Sequence, residues 1–218
     1  MQFSTPPAPY CQKFGDFTIR HARGRDDLIA NIDLQLPEYG DYTWPIEHVM
    51  DIWARYPYAI YLLWEGDRVV GNFHLWPAED AWADSFLAGQ AGYKDFTPKS
   101  LAEVLSNDGC QRWRVSSLII HPDYRKPTKM NPIGFLLAAA LNDWAETAAL
   151  TYPVQVFTTA YTPQSAALLR RFGFEKIREP EQMANNTPLY ALTANSKSEL
   201  TQTLFRRGLP KFLTAETA

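Results

Sequence analysis

The sequence predicts a mixed α/β sheet, central, twisted and flanked by helices, and three observations carry that prediction. Segments of strand and helix periodicity alternate along the chain instead of segregating into halves. In the C-terminal half, strand-helix-strand successions run over 114–120, 131–150 and 154–158, then over 154–158, 163–171 and 174–178, which implies some parallel pairing inside the sheet. The 218 residues, 46% hydrophobic and 21% charged, suffice for one core and exclude a disordered chain, a collagen-like repeat or a disulfide scaffold.

Element by element, residues 1–13 are Pro-rich and read as an N-terminal arm, because proline cannot donate to a ladder. Phe17 to Arg20 alternates and predicts a first strand. Gly24 to Leu36 places Leu28, Ile29, Ile32 and Leu36 at helical spacing, with Asp26 and Asp27 at the positive end, and the helix is expected to stop before Pro37. Residues 37–45 have loop composition, and a second helix follows with Val49, Ile52, Trp53 and Tyr56 on one face. Ala59–Trp64 and Arg68–Trp76 form a predicted hairpin around Glu65-Gly66-Asp67. The stretch 77–111 shows only a short helical pattern near Lys99 to Leu105. Arg114–Ile120 is a β-branched strand, Asn131-Pro132 opens a helix to about Leu150, and Val154–Thr158 is a strand. Thr162-Pro163 opens a helix that closes on Arg170, Arg171 and Gly173; 174–178 and 188–193 are closing strands, and the tail from Asn195 is polar with a short helical pattern. The expected division is an arm over 1–13, a domain over 14–194 and a tail over 195–218.

Charge and cysteine usage narrow the function classes. With 21 basic and 24 acidic residues the net charge is −3, so no basic footprint for nucleic acid is present. Cys11 and Cys110 stand apart without metal-ligand spacing, so no metal site and a reducing compartment are expected. The apolar run Ile133–Leu141 is far below the roughly 18 residues a bilayer span needs, and the N-terminus lacks the basic and apolar regions of a signal peptide. A cytoplasmic chain without membrane or nucleic-acid partners is the expectation.

Chemistry concentrates at a few positions. A strand running into a helix whose first turn holds Gly134 offers unpaired N–H groups to an anion such as pyrophosphate, or is simply an Asn131 cap with Pro132 at the first helical position. His74 titrates near neutral pH and is a candidate base, or a satisfied core histidine. Ser116 and Ser117 are candidates to relay a proton, or plain strand hydroxyls; Tyr161 is a candidate acid, or a packed ring. Glu38, Asp41 and Glu47 are acids that attract a cationic group, or are only solvated. Tyr39, Tyr42 and Trp44 in the same loop would be costly to expose without a purpose.

Two stretches and the order of elements together resemble the GCN5-related N-acetyltransferase (GNAT) superfamily. Ser117-Leu-Ile-Ile-His-Pro-Asp-Tyr-Arg125 with Ile133-Gly-Phe-Leu-Leu137 is similar to that family's fourth strand, its "V-x-P-x-Y-R" ending and the following helix. Ser165-Ala-Ala-Leu-Leu-Arg-Arg-Phe-Gly-Phe174 is similar to its fourth helix with the closing Gly-Phe. The resemblance spans residues 17–193 and implies an acyl-CoA-dependent N-acyltransferase acting on a primary amine of a small molecule or peptide, with a homodimer common among its members. It implies that Leu118, Ile119 and Ile120 offer backbone groups to the pantetheine arm, and that Arg125, Lys126, Asn131, Ile133, Gly134 and Phe135 surround the pyrophosphate. It also places Glu38, Tyr39, Tyr42 and Trp44 over the acceptor, leaving His74, Ser117 and Tyr161 as candidates for proton transfer. The pyrophosphate loop is divergent: residues 126–133 lengthen it and Pro132 replaces its first glycine. Leu169 stands where many members place the tyrosine that protonates the thiolate, and Pro163 stands for an asparagine. The alternatives are an acyl-carrier-protein-dependent N-acyl amino acid or homoserine-lactone synthase-like enzyme, with Arg125, Lys126 and Lys129 as a docking hint, and a non-catalytic member that binds acyl-CoA or a protein.

Overall fold

A computed structural model describes residues 9–103, 109–125, 132–148 and 150–206. Its eight strands are β1 (Cys11–Phe14), β2 (Phe17–His21), β3 (Ile60–Glu65), β4 (Arg68–Pro77), β5 (Cys110–Ile120), β6 (Leu150–Thr159), β7 (Glu175–Arg178) and β8 (Leu189–Ala194). They form one mixed sheet in the order β1-β2-β3-β4-β5-β6-β8-β7. The β5/β6 ladder is parallel and those of β1/β2, β2/β3, β3/β4, β6/β8 and β7/β8 are antiparallel. The helices are α1 (Arg25–Tyr39), α2 (Ile46–Arg55), α3 (Asp80–Leu87), α4 (Pro132–Thr147), α5 (Pro163–Arg171) and α6 (Lys197–Thr201). Among the described residues no helix is long and apolar enough to cross a membrane. No group of three or more His, Cys, Asp or Glu is placed there to hold a metal ion.

By contact density the chain divides into two compact units. Of the described residues, one contains 9–75 together with 117–125 and 132–146. Here β1 and β2 make a tight hairpin around Gly15, whose φ of +56° suits glycine, so a strand forms just beyond the prolines of the arm. Helix α1 does not stop before Pro37. It runs one turn further to Tyr39, because the residue is close enough to the end to sacrifice one N–H bond, and Gly40 then caps Leu36 O. The loop expected over 37–45 shrinks to a 3₁₀ turn at Gly40–Tyr42 and the approach to α2.

The buried face of α1 also differs from the apolar stripe. Leu28, Asn31, Leu34 and Gln35 are buried, while Ile29 and Leu36 are exposed. Two polar side chains turn inward because they find partners on the sheet, as described below. Helix α2 buries Val49 and Ile52, and α4 is buried on most of its circumference, as its run of apolar residues requires.

The other unit contains Trp76–Ser116 and the chain from Thr147. Helix α3 was not expected: Glu79 caps it by accepting the Trp82 N–H at 2.9 Å, and it packs Ala83 and Phe86 against Phe157, Met183 and Leu189. Near Lys99 the structure holds only a 3₁₀ turn, Pro98–Ser100, and a bridge from Ala78 to Leu101; residues 104–108, where that expected helix would end, lie outside the described residues. Helix α5 opens as expected on a reciprocal cap, the Thr162 hydroxyl accepting the Ser165 N–H at 3.1 Å and the Ser165 hydroxyl accepting the Thr162 N–H at 3.0 Å. Gly173, at φ +84°, then turns the chain toward β7.

Candidate active site

Strand β4 presents Asn72 and His74 on the face that α1 covers, and β5 brings Ser117 and the Ile119 backbone to the same place. Asn31, Gln35, Asn72, His74 and Ser117 are all buried, so each polar atom there needs a partner. The Ile119 N–H donates to Asn72 Oδ1 at 3.1 Å and the Ser117 hydroxyl donates to the same oxygen at 3.0 Å. Asn72 Nδ2 donates to Asn31 Oδ1 at 2.7 Å, and His74 Nε2 lies 3.1 Å from that oxygen. Asn31 Nδ2 is buried with no hydrogen-bond partner among the described residues. The structure thus links two sequence candidates, His74 and Ser117, through asparagines that sequence reasoning passed over. It also engages the Ile119 N–H with a side chain of the protein itself. Two signals were present: an asparagine in the run Val69 to Trp76, where His74 is the one other polar side chain, and Asn31 and Gln35 spaced one helical turn apart.

The opposite face of the sheet carries a second buried polar cluster, on β2, β3 and α4. The Tyr10 N–H donates to His21 Nδ1 at 3.1 Å, Tyr61 donates its phenol to Asp143 Oδ2 at 2.8 Å, and that oxygen lies 3.6 Å from His21 Nε2. Burial pushes His21 down to about 4 and the Asp143 carboxyl up. Because Nδ1 accepts a backbone N–H, His21 is neutral with its hydrogen on Nε2.

At the end of β5 the chain turns through Pro122–Tyr124 to Arg125. Arg125 Nε donates to the Ile120 carbonyl at 2.7 Å, and its guanidinium pairs with Glu38 at 2.6 Å. A residue expected at the donor and one expected at the acceptor therefore meet. Tyr124 bonds Glu65, Arg68 donates to His121 Nε2 at 2.7 Å, and His121 Nδ1 caps the turn by accepting the Asp123 N–H at 3.4 Å, with the Asp123 carboxylate also 3.4 Å away. Arg68, His121 and Glu38 line an open cavity of about 430 Å³ together with the apolar Leu34, Pro37 and Val69.

Of the remaining expected residues, Ile120 is buried beside Gly71, where an added Cβ would stand 2.6 Å from its Cδ1, and Leu118 is half-buried. Ile133 and Gly134 sit half-buried in the first turn of α4, and Phe135 packs on Phe14 with ring centres 4.4 Å apart. Lys126 and Asn131 lie outside the described residues, as does Lys129. Tyr39 is half-buried, Tyr42 is exposed, and Trp44 is buried against His48 at 5.0 Å instead of standing out from a loop.

The unit from Trp76 holds the other candidates. Tyr161 is exposed at the entrance to α5, and the Ser116 hydroxyl accepts the Trp76 indole N–H at 2.9 Å. Arg114 is buried among the rings of Trp82, Phe86, Tyr93 and Phe96, with the guanidinium carbon 4.6 Å from the Phe96 centre. Burial brings its guanidinium down to about 10.

No protein-family profile matches the sequence, and no curated protein matches it. Solved structures do. The loading GNATL domain of CurA from Lyngbya majuscula superposes with a TM-score of 0.59 at 12% identity, over 81% of this chain and 97% of that one. GphF, a GNAT-like decarboxylase in complex with isobutyryl-CoA, gives 0.56 at 15% identity over 80% and 98%. Arabidopsis thaliana Naa50 with the bisubstrate analogue CoA-Ac-MVNAL gives 0.53 at 12% identity over 82% and 99%. The order of strands and helices and these superpositions agree: the chain has the fold of the GCN5-related N-acetyltransferase superfamily.

Proposed function

We propose that this chain is an N-acyltransferase that moves an acetyl or similar acyl group from acyl-CoA to a primary amine of a small molecule or peptide, residues 14–194 being the catalytic domain. The observation that supports it most is the fold shared over about four fifths of the chain with proteins solved with CoA-type ligands, GphF and Naa50 among them. The amine nitrogen attacks the thioester carbonyl; the C–N bond forms, the C–S bond breaks, the nitrogen gives up a proton and the sulfur gains one. His74, Ser117 and Tyr161 are the groups proposed for these proton transfers. Arg125, held by the Ile120 carbonyl, with Gly134 and the first turn of α4, is proposed to receive the pyrophosphate. Leu169, which has no proton to give, favours a second reading in which the chain binds acyl-CoA without turning it over.

Thermal unfolding with acetyl-CoA, longer acyl-CoAs and free CoA tests both readings. A ligand at about 100 times its Kd adds roughly 2.7 kcal/mol, which for this chain length raises Tm by about 5–10 °C. The expected result is such a shift with at least one acyl-CoA, reduced in Arg125→Ala. No shift with any of them overturns the acyl-CoA assignment.

A further inference from the structure

The orientation of the amides between Ser117 and His74 is decided at one end by a group that has no choice. The Ile119 N–H can only donate, so the Asn72 atom 3.1 Å from it is the oxygen. Asn72 therefore turns its NH₂ toward Asn31, and the atom receiving it at 2.7 Å is Asn31 Oδ1. The same oxygen lies 3.1 Å from His74 Nε2, so this nitrogen brings the hydrogen to the contact. Gln35 Nε2, 3.5 Å from His74 Nε2, would suit the opposite tautomer, with a bare nitrogen as acceptor. The shorter contact, anchored through two amides to a fixed backbone group, prevails over the longer one.

We infer that Asn72 and Asn31 are positioning residues that carry the direction of the Ile119 N–H to His74 and hold its imidazole as the Nε2–H tautomer. A proton taken up by His74 is then taken at Nδ1. The role of His74 as base rests on the acyltransferase reading; its tautomer does not, and the two are measured separately.

Long-range ¹H–¹⁵N spectra of the ring nitrogens, recorded at a pH where the imidazole is neutral, report the tautomer directly. The wild-type protein is expected to carry the His74 hydrogen on Nε2; a hydrogen on Nδ1 overturns the inference without any variant. Asn72→Asp accepts from Ile119 and Ser117 but offers Asn31 no donor. Asn31 then turns its NH₂ inward, Nε2 becomes an acceptor for it and for Gln35, and the hydrogen moves to Nδ1. Asn31→Asp introduces the same charge but only accepts, so Nε2 keeps its hydrogen. In Ser117→Ala the backbone donor still fixes Asn72, and the tautomer again stays. An unchanged tautomer in Asn72→Asp, or a moved one in Asn31→Asp, overturns the relay; the second comparison still decides if Asn72→Asp fails to fold. In an amide-forming assay Asn72→Asp is expected to lose about 100-fold or more in kcat with little change in the donor KM. A moved hydrogen with unchanged kcat overturns the positioning role. A relay present in a wild-type protein that forms no amide leaves the relay standing and removes the acyltransferase reading alone.

Discussion

Replacing Asn72 with leucine is expected to lower the unfolding free energy by about 3–5 kcal/mol, although leucine has nearly the same size and is apolar. The Asn72 amide is fully buried and serves three partners: the Ser117 hydroxyl, the Ile119 N–H and Asn31 Oδ1. Leucine leaves a backbone donor and a hydroxyl without an acceptor in the interior, and each such group costs about 1–3 kcal/mol. The backbone N–H cannot rotate away, so its share of the loss is unavoidable. Combining Asn72→Leu with Ser117→Ala removes one stranded donor, and the double variant should lose less than the sum of the single losses. Urea denaturation at neutral pH measures the wild type, the two single variants and the double variant. A loss below about 1 kcal/mol for Asn72→Leu would contradict the network.

A second large effect is expected from acid. His21 is buried with its side chain held neutral, its folded pKa about 4 against 6.5 when unfolded. Between those values the unfolded chain binds a proton that the folded chain refuses, so stability is full above pH 6.5 and falls as the pH drops toward 4. The limit of that loss is about 3 kcal/mol. Asp143 works against it: burial raises its pKa, so the folded chain takes up a proton at this carboxyl more readily than the unfolded one as the pH falls. Stability measured at steps from pH 7 to pH 4 should therefore decline in the wild-type protein and decline less in His21→Gln. Equal slopes in the two proteins would show that His21 does not cause the loss.

The sequence was most legible where local chemistry and tertiary packing agree. Helix α5 has its Thr162 cap, Pro163, the two arginines and Gly173 in sequence order, and the structure uses each in that role. The hairpin of β3 and β4 was legible from two apolar runs around Gly66, which stands at φ +56°. Helix α1 was harder. Its end was misplaced because Pro37 is a strong local breaker that a helix tolerates one turn from its end. Its face was misplaced because Ile29 and Leu36 look like core while Asn31 and Gln35 look like surface. Only the register of β4, which sets Asn72 and His74 under α1, reverses that preference, and register is not written in any single segment. Helix α3 was missed for a related reason: in eight residues it fully buries only Ala83 and Phe86, and their partners Met183 and Leu189 lie about a hundred residues away.

The candidate site divides along the same line. His74 and Ser117 were legible as residue types with proton chemistry on strands, whereas the asparagines joining them were not, since an amide announces no reactivity. The pairing of Arg125 with Glu38 was equally hidden, because it joins the end of α1 to the turn after β5.

Acyl transfer itself is tested most directly by incubating the purified chain with acetyl-CoA and longer acyl-CoAs across a panel of primary amines, following free thiol and amide product in the same samples. The account predicts thiol and amide appearing in equal amounts, only when an amine is present, and lost on Asn72→Asp. No amide from any donor and amine, or thiol released at the same rate without amine, would contradict it.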